Sequence, residues 1–186
     1  GLVRPMLFTI APEQAQKIAE AALGITPLWR AARPLLDLRD RRLRCHVGGI
    51  EVPNPIGLAA GYDKDARLVD KMANLGFGYV VTGTVVAEPR IGNPSPRLLR
   101  DSKNGSLLNS LGFPSQGLER VVERLSRRRA LGLKVISSIS GLSVDDFFRC
   151  FKVIQPLVSG VELNISSPNT EGIRAFQEPQ KLEELL

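Results

Sequence analysis

Histidine occurs once and cysteine twice in the 186 residues, and the two cysteines, Cys45 and Cys150, form no CxxC pair. A histidine metal cluster cannot be built from His46 alone, so no metal site is expected, and neither is a disulfide framework. Aromatic residues are scarce, at 5% with a single tryptophan, which leaves few platforms on which nucleic-acid bases could stack. No apolar run approaches the roughly 18 to 20 residues that a spanning helix needs, because charges, glycine or proline interrupt each candidate. The first residue is Gly1 rather than methionine, and no signal-peptide pattern follows; this reads as a processed start or an expression scar.

What remains is an ordinary globular composition, 43% hydrophobic and 24% charged, with a net charge of +6. Four of those six charges fall in residues 1–44, where eight basic side chains face four acidic ones. Apolar positions Ala15, Ile18, Ala19, Ala22 and Leu23 predict an amphipathic helix over Pro12–Leu23, stopped by Gly24. Leu28, Trp29, Ala32, Leu35 and Leu36 draw a second stripe after Pro27, with Arg30 and Arg33 pointing elsewhere. Residues 1–42 therefore read as a small helical cap, either folded onto the core or presenting a docking surface with Trp29 exposed.

Beyond residue 43 the period changes. Residues 44–52 read as a hairpin turning at Gly48-Gly49. Strands are expected near 55–60, 79–86, 134–140 and 161–165, and helices at 66–75, 115–128 and 144–157, with another starting at Pro179. Strands alternating with helices indicate parallel βαβ units. A long insertion, 89–114, carries its own hairpin at Lys103-Asn104-Gly105, and connections of that length are commonly functional. An eight-fold barrel takes about 250 residues, so 43–186 would supply roughly the N-terminal half of a (β/α)8 TIM barrel.

In parallel α/β folds ligands sit at the carboxyl ends of strands. Three such ends are polar or small: Ala59-Ala60-Gly61-Tyr62-Asp63-Lys64, Thr82-Gly83-Thr84 and Asn164-Ile165-Ser166-Ser167-Pro168-Asn169-Thr170. Ala59, Ala60 and Gly61 let a flat ligand approach the backbone, and Lys64 offers a point charge to an anion. Each alone also has a structural reading, as a tight turn, a solvated lysine or a helix cap.

These motifs, with Asn109-Ser-Leu-Gly-Phe113, Pro12-Glu13-Gln14-Ala15, Gly76-Phe77-Gly78 and Gly92-Asn-Pro-Ser-Pro-Arg97, resemble dihydroorotate dehydrogenases in order and spacing, most closely the class 2, quinone-dependent form. The resemblance covers nearly the whole chain. It implies a flavoprotein of pyrimidine biosynthesis that oxidises dihydroorotate to orotate with FMN and passes the electrons to a quinone, peripherally attached to a membrane. Carried over by motif, Ser167 is the base that removes the C5 proton as hydride leaves C6. A serine hydroxyl needs a hydrogen-bonded helper for that task, for which Thr84 and Asn169 are candidates. Ala59, Ala60, Gly61, Lys64, Thr84 and Asn164 are implied to hold FMN. Lys64, Asn109, Phe113, Asn164 and Asn169 are implied to hold the substrate, carboxamides suiting the alternating N–H and C=O edge of a pyrimidine. Arg97 is implied to line the quinone side.

Two departures follow. The strand-three asparagine that touches flavin in class 2 is replaced within Val135-Ile-Ser-Ser-Ile-Ser-Gly141, with Ser137 and Ser138 as candidate substitutes. The family's second flavin lysine, Thr-Asn pair and phosphate-binding glycines come after the Ser-Pro-Asn segment and are not in these 186 residues, so a companion C-terminal half is expected and this chain alone should be inactive. Two rival readings remain: another FMN-dependent barrel oxidoreductase acting on a pyrimidine, and a non-catalytic basic binding module resting on Arg127-Arg128-Arg129. Against the latter, these arginines end a helical segment as a solvated run, and no nucleic-acid partner is expected.

Overall fold

The computed structural model describes residues 3–38, 40–129, 132–168, 170 and 172–186, with side chains from residue 5 onward. Three helices come first: α1 (Val3–Phe8), α2 (Pro12–Leu23) and α3 (Thr26–Leu36). Pro12 starts α2 where its missing N–H costs nothing. The two readings of this region each hold for a different face. Leu23 is buried, and Trp29 packs with it against Leu68, Met72 and Val80. Trp29 is thus not the exposed side chain expected: its indole N–H donates to the Ala22 carbonyl at 2.8 Å, which fixes the ring under the helix. The opposite edge of α3 is bare, with Leu28 54% and Leu35 89% exposed.

Strands β1 (Cys45–Val47) and β2 (Ile50–Val52) form the expected antiparallel hairpin. Gly48 and Gly49 both have positive φ, +56° and +80°, the requirement of a tight two-residue turn that only glycine meets without strain. The hairpin closes one end of the sheet, since Ile50 lies so near Gly160 that a Cβ there would stand 2.8 Å from its Cδ1.

The βα succession then begins with β3, only Gly57–Leu58, and α4, only Val69–Met72. The helix expected over 66–75 is shorter for a local reason. The Asp63 carboxylate accepts the N–H groups of Arg67 and Leu68, at 2.8 and 2.9 Å, and so takes the place of a first helical turn. Ala66 is held at φ +54° within that loop. Asp63 is 2% exposed, and burial pushes its pKa up against the pull of those two N–H donors. Asp63→Ala leaves both donors without an acceptor; it should destabilise the complete protein by about 2 kcal/mol in denaturant unfolding, the cost of unsatisfied buried donors. A variant within experimental error of wild type would show that water replaces the carboxylate.

Next come β4 (Tyr79–Val85), the hairpin β5 (Leu98–Asp101) and β6 (Ser106–Asn109), and α5 (Leu118–Arg127). The hairpin turns where expected, with Asp101 accepting the N–H groups of Lys103 and Asn104. They are followed by β7 (Lys134–Ile139), α6 (Val144–Ile154), β8 (Gly160–Leu163) and α7 (Pro179–Leu185). Ser143 and Asp146 form a reciprocal capping box that sets the start of α6.

The main sheet runs β3-β4-β7-β8, with every neighbouring pair parallel. Order in space is order in sequence, as in consecutive units of a β/α barrel. Val85, Val135 and Ile139 pack outward against Val121 and Leu125 of α5 and Phe147, Cys150 and Ile154 of α6. On both helices the buried positions recur at i, i+3 or i+4, and i+7. Phe176 meets Phe147 edge to face, centroids 5.2 Å apart. Cys150 is fully enclosed there and its thiol pKa is pushed up to about 11 by burial, so it behaves as a core side chain.

Candidate functional site

The carboxyl ends of β3, β4 and β8 converge on one pocket of about 150 Å³. Ala60, Gly61, Lys64, Thr84, Asn109, Phe113, Asn164 and Ser167 all line it, as do Leu111, Gly112 and Pro114. Ala59 follows β3 one residue before the pocket wall and is exposed. Asn169 lies outside the described residues. Arg97 stands apart, in the insertion, on the side facing α2.

The floor is made by backbone. Gly61 N–H donates to the Gly83 carbonyl at 2.8 Å, and Gly83 N–H donates to the Asp63 carbonyl at 3.0 Å. These bonds tie the loop after β3 to the middle of β4. Gly83 has φ +106°, and a Cβ on it would meet the Ser138 carbonyl at 2.3 Å. No other residue fits. Gly61, by contrast, has nothing within 4 Å of where a Cβ would be, so open space lies in front of its backbone.

Lys64 reaches back across this turn, and its ammonium donates to the Gly61 carbonyl at 2.5 Å. Its pKa is lowered chiefly by burial, with Arg97 adding to the depression and Glu20 and Asp65 working against it. On its other side Lys64 lines a second, smaller cavity of about 120 Å³ with Gln16, Glu20, Tyr62 and Arg67. A half-buried cation therefore separates the strand-end pocket from a cavity under α2.

The far wall is a chain of hydroxyls and amides. Asn164 Nδ2 donates to Thr84 Oγ1 at 2.8 Å, and Thr84 Oγ1 lies 3.1 Å from Ser138 Oγ. Asn164 Oδ1 accepts from the N–H and hydroxyl of Ser166, at 3.2 and 3.3 Å, while Ser140 Oγ donates to the Asn164 carbonyl at 2.7 Å. Three strand ends are thereby locked together immediately before Ser167. Of the two serines of the third strand, Ser138 contacts the pocket-lining Thr84, whereas Ser137 contacts Thr82 and shares its strand face with the outward-packed Val135 and Ile139. Leu111 and Gly112 lie within the Asn109–Phe113 motif, to which the sequence assigns no role at those two positions, and neither Pro114 nor Ser140 is given one. Ser140 directly follows β7 and is, with Ser137 and Ser138, the third serine at that strand's carboxyl end. Thr170 adds a buried hydroxyl with no hydrogen-bond partner among the described residues.

Among the described residues Phe113 is the one bulky side chain in the left-handed region, at φ +53°. Such a conformation is costly for a residue with a Cβ; two residues on, the Arg90 and Ser115 backbones pair across the root of the insertion, at 2.8 and 2.9 Å.

A larger cleft, about 700 Å³, opens at the other end of the sheet, where β7 begins at Lys134. Its charges are mixed and partly paired, Arg33 with Asp37 at 3.3 Å and Arg44 with Glu51 at 4.0 Å. None of the strand-end polar residues reaches it, so size does not mark it as the site. Among the described residues no group of three or more His, Cys, Asp or Glu could hold a metal ion.

The dihydroorotate dehydrogenase family model matches residues 42–186. The chain is 39% identical over 196 residues to the dihydroorotate dehydrogenase (quinone) of Thermus thermophilus, covering 97% of this chain and 56% of that protein. With the enzyme of the same description from Novosphingobium aromaticivorans it shares 37%, covering 100% and 55%. It thus spans about half the length of the curated relatives it matches. Crystal structures of DHODH from Eimeria tenella superpose on it, one in complex with ferulenol (TM-score 0.78, 30% identity, 94% of this chain and 49% of that one). The ligand-free form gives TM-score 0.75 and 32% identity, over 90% and 51%. These superpositions place the four parallel strands and their helices as part of a (β/α)8 barrel.

Proposed function

This chain belongs to the dihydroorotate dehydrogenase family, and from that premise we propose that it supplies the first half of a barrel that oxidises dihydroorotate to orotate and delivers the electrons to a quinone. The observation that carries the reading is the gathering of Lys64, Thr84, Asn109, Asn164 and Ser167 around one pocket at the strand ends.

The residues suit a flavin. Open space in front of Gly61 admits a flat ring against backbone, and the hydroxyl and amide groups of Thr84 and Asn164 match the polar edge of an isoalloxazine. Ala59, Ala60, Gly61, Lys64, Thr84 and Asn164 would hold it from this half of the barrel. When bound, FMN supplies a two-electron acceptor. Ser167 takes the C5 proton of dihydroorotate, Asn109 and Asn164 orient the ring amides, and Phe113 excludes water from one face. Lys64 stabilises negative charge on that side of the pocket and attracts the substrate carboxylate. Arg97 and the cavity under α2 face the quinone, and a companion C-terminal segment closes the barrel and completes the FMN site.

The bare edge of α3 supports attachment to a membrane surface. Leu28 and Leu35 would enter the acyl boundary while basic residues of the first 44 meet anionic headgroups. Purified complete protein should show flavin absorbance that bleaches on adding dihydroorotate and recovers with a quinone. A colourless protein, or one that dihydroorotate leaves oxidised, would sink the reading. Replacing Leu28 and Leu35 together with Glu should abolish co-sedimentation with anionic vesicles yet leave flavin reduction intact. Deleting residues 1–40 would be a poorer test, because it also strips Leu23 and Trp29 from the barrel.

A further inference from the structure

We propose that Glu13 of α2 is a positioning residue for the pocket, holding the insertion that carries Asn109 and Phe113. Glu13 lines no part of that pocket. Its Oε1 accepts the backbone N–H of Arg97 at 2.9 Å, and its Oε2 accepts the Ser95 hydroxyl at 3.4 Å. The carbonyl of that same Arg97 accepts the N–H of Ser110 at 2.8 Å, the residue next to Asn109. A direct path therefore runs from the α2 carboxylate through one residue of β-hairpin backbone to the pocket wall. Asn93 reinforces it, its N–H donating to the Leu111 carbonyl at 3.0 Å and its carboxamide to Ser110 Oγ at 3.1 Å.

A second tie runs beside the first. The Arg100 guanidinium sits 4.2 Å over the Phe8 ring and donates to the carbonyls of Phe8 and Ile10, both at 3.1 Å. All four residues of β6 are exposed, so the hairpin gains little from core burial. Its support comes from its root and from the helices before β1. The Arg97 guanidinium, 4.0 Å from Glu13 Oε1, adds a partly exposed and hence screened attraction; the backbone bond, which is directional, sets the position.

A displacement of α2 is thus passed to Asn109 and Phe113. Ligand binding in the pocket and ligand binding at the cap are coupled, and by linkage the coupling acts equally in both directions. This inference rests on the pocket being the orotate site. In the complete protein, Glu13→Ala should raise the orotate dissociation constant, read from the flavin spectrum, about tenfold, whereas Glu13→Gln, whose carbonyl oxygen still accepts from Arg97, should stay within about threefold of wild type. Amide hydrogen exchange over 105–114 should accelerate in Glu13→Ala even with no ligand added. Should that variant fail to fold, Glu13→Asp, which withdraws the carboxylate by one methylene, reads the same exchange. Wild-type orotate affinity together with wild-type exchange in Glu13→Ala overturns the proposal, as does a Glu13→Gln protein as impaired as Glu13→Ala. If wild-type protein itself gives no orotate signal, the assigned substrate is wrong, and the exchange comparison still decides the role of Glu13.

Discussion

Ser167→Ala should retain flavin in the complete protein while its reduction by dihydroorotate slows by about 10² to 10⁴, the usual share of a general base. The residue occupies the pocket wall directly after the Asn164 and Ser166 cluster, so its backbone is placed by bonds that the substitution leaves in place. A methyl group at that position removes the hydroxyl proposed as the proton acceptor. Stopped-flow reduction is the measurement, with orotate affinity as its control. Reduction at wild-type speed would remove Ser167 from the chemistry and pass the task to another group on the same wall.

Lys64→Ala should act on two quantities together, weakening orotate binding and slowing reduction, each by about 10² to 10³, the scale of losing one preorganised charge in a water-poor site. The pH dependence follows from its environment. Burial lowers its pKa, so the ammonium is lost below the ordinary lysine value of 10.5. Orotate affinity should be level at low pH and fall as pH rises through that depressed value. Stability runs the opposite way: the unfolded chain still binds the proton in that window, so the penalty for holding a charged Lys64 in the fold fades as pH rises. Lys64→Ala should abolish the alkaline loss of affinity. An unchanged alkaline limb would show that Lys64 is a structural lysine bonded to the Gly61 carbonyl.

The basic patch at Arg127-Arg128-Arg129 illustrates how charge reads from sequence alone. Arg127 pairs with Glu123 at 3.0 Å, and Arg129 donates its backbone N–H to Asp70 at 3.2 Å. One of the three guanidinium groups is thus paired along its own helix, and Arg129 is held to Asp70 through its backbone and not through its charge.

Periodicity sufficed for β4, β7 and β8, for α2, α5 and α6, and for both hairpins, because each is set by local alternation, a glycine pair or a cap; the strand expected over 55–60 is only Gly57–Leu58. It overestimated α4, where the deciding contact is a side-chain carboxylate bonded to backbone four and five residues on. It also misjudged Trp29, because amphipathic spacing reports that a helix has an apolar face and not which neighbour that face meets. The motifs at the strand ends named most of the pocket for a similar reason: in a parallel sheet every strand delivers its carboxyl end to the same side, so polar strand ends meet whatever lies between them.

Composition and short-range pattern were enough to exclude a histidine metal cluster and to show alternating strands and helices with their polar ends. They could not show that Ser138 rather than Ser137 adjoins the pocket, since that depends on the register of β7 against β4 and on the irregularity in their pairing between Thr82 and Val85. Nor could they show that Glu13 meets Arg97, 84 residues away. Contacts of that kind arise only once the chain is packed, because each requires two separately folded elements to arrive at one place with matching donors and acceptors.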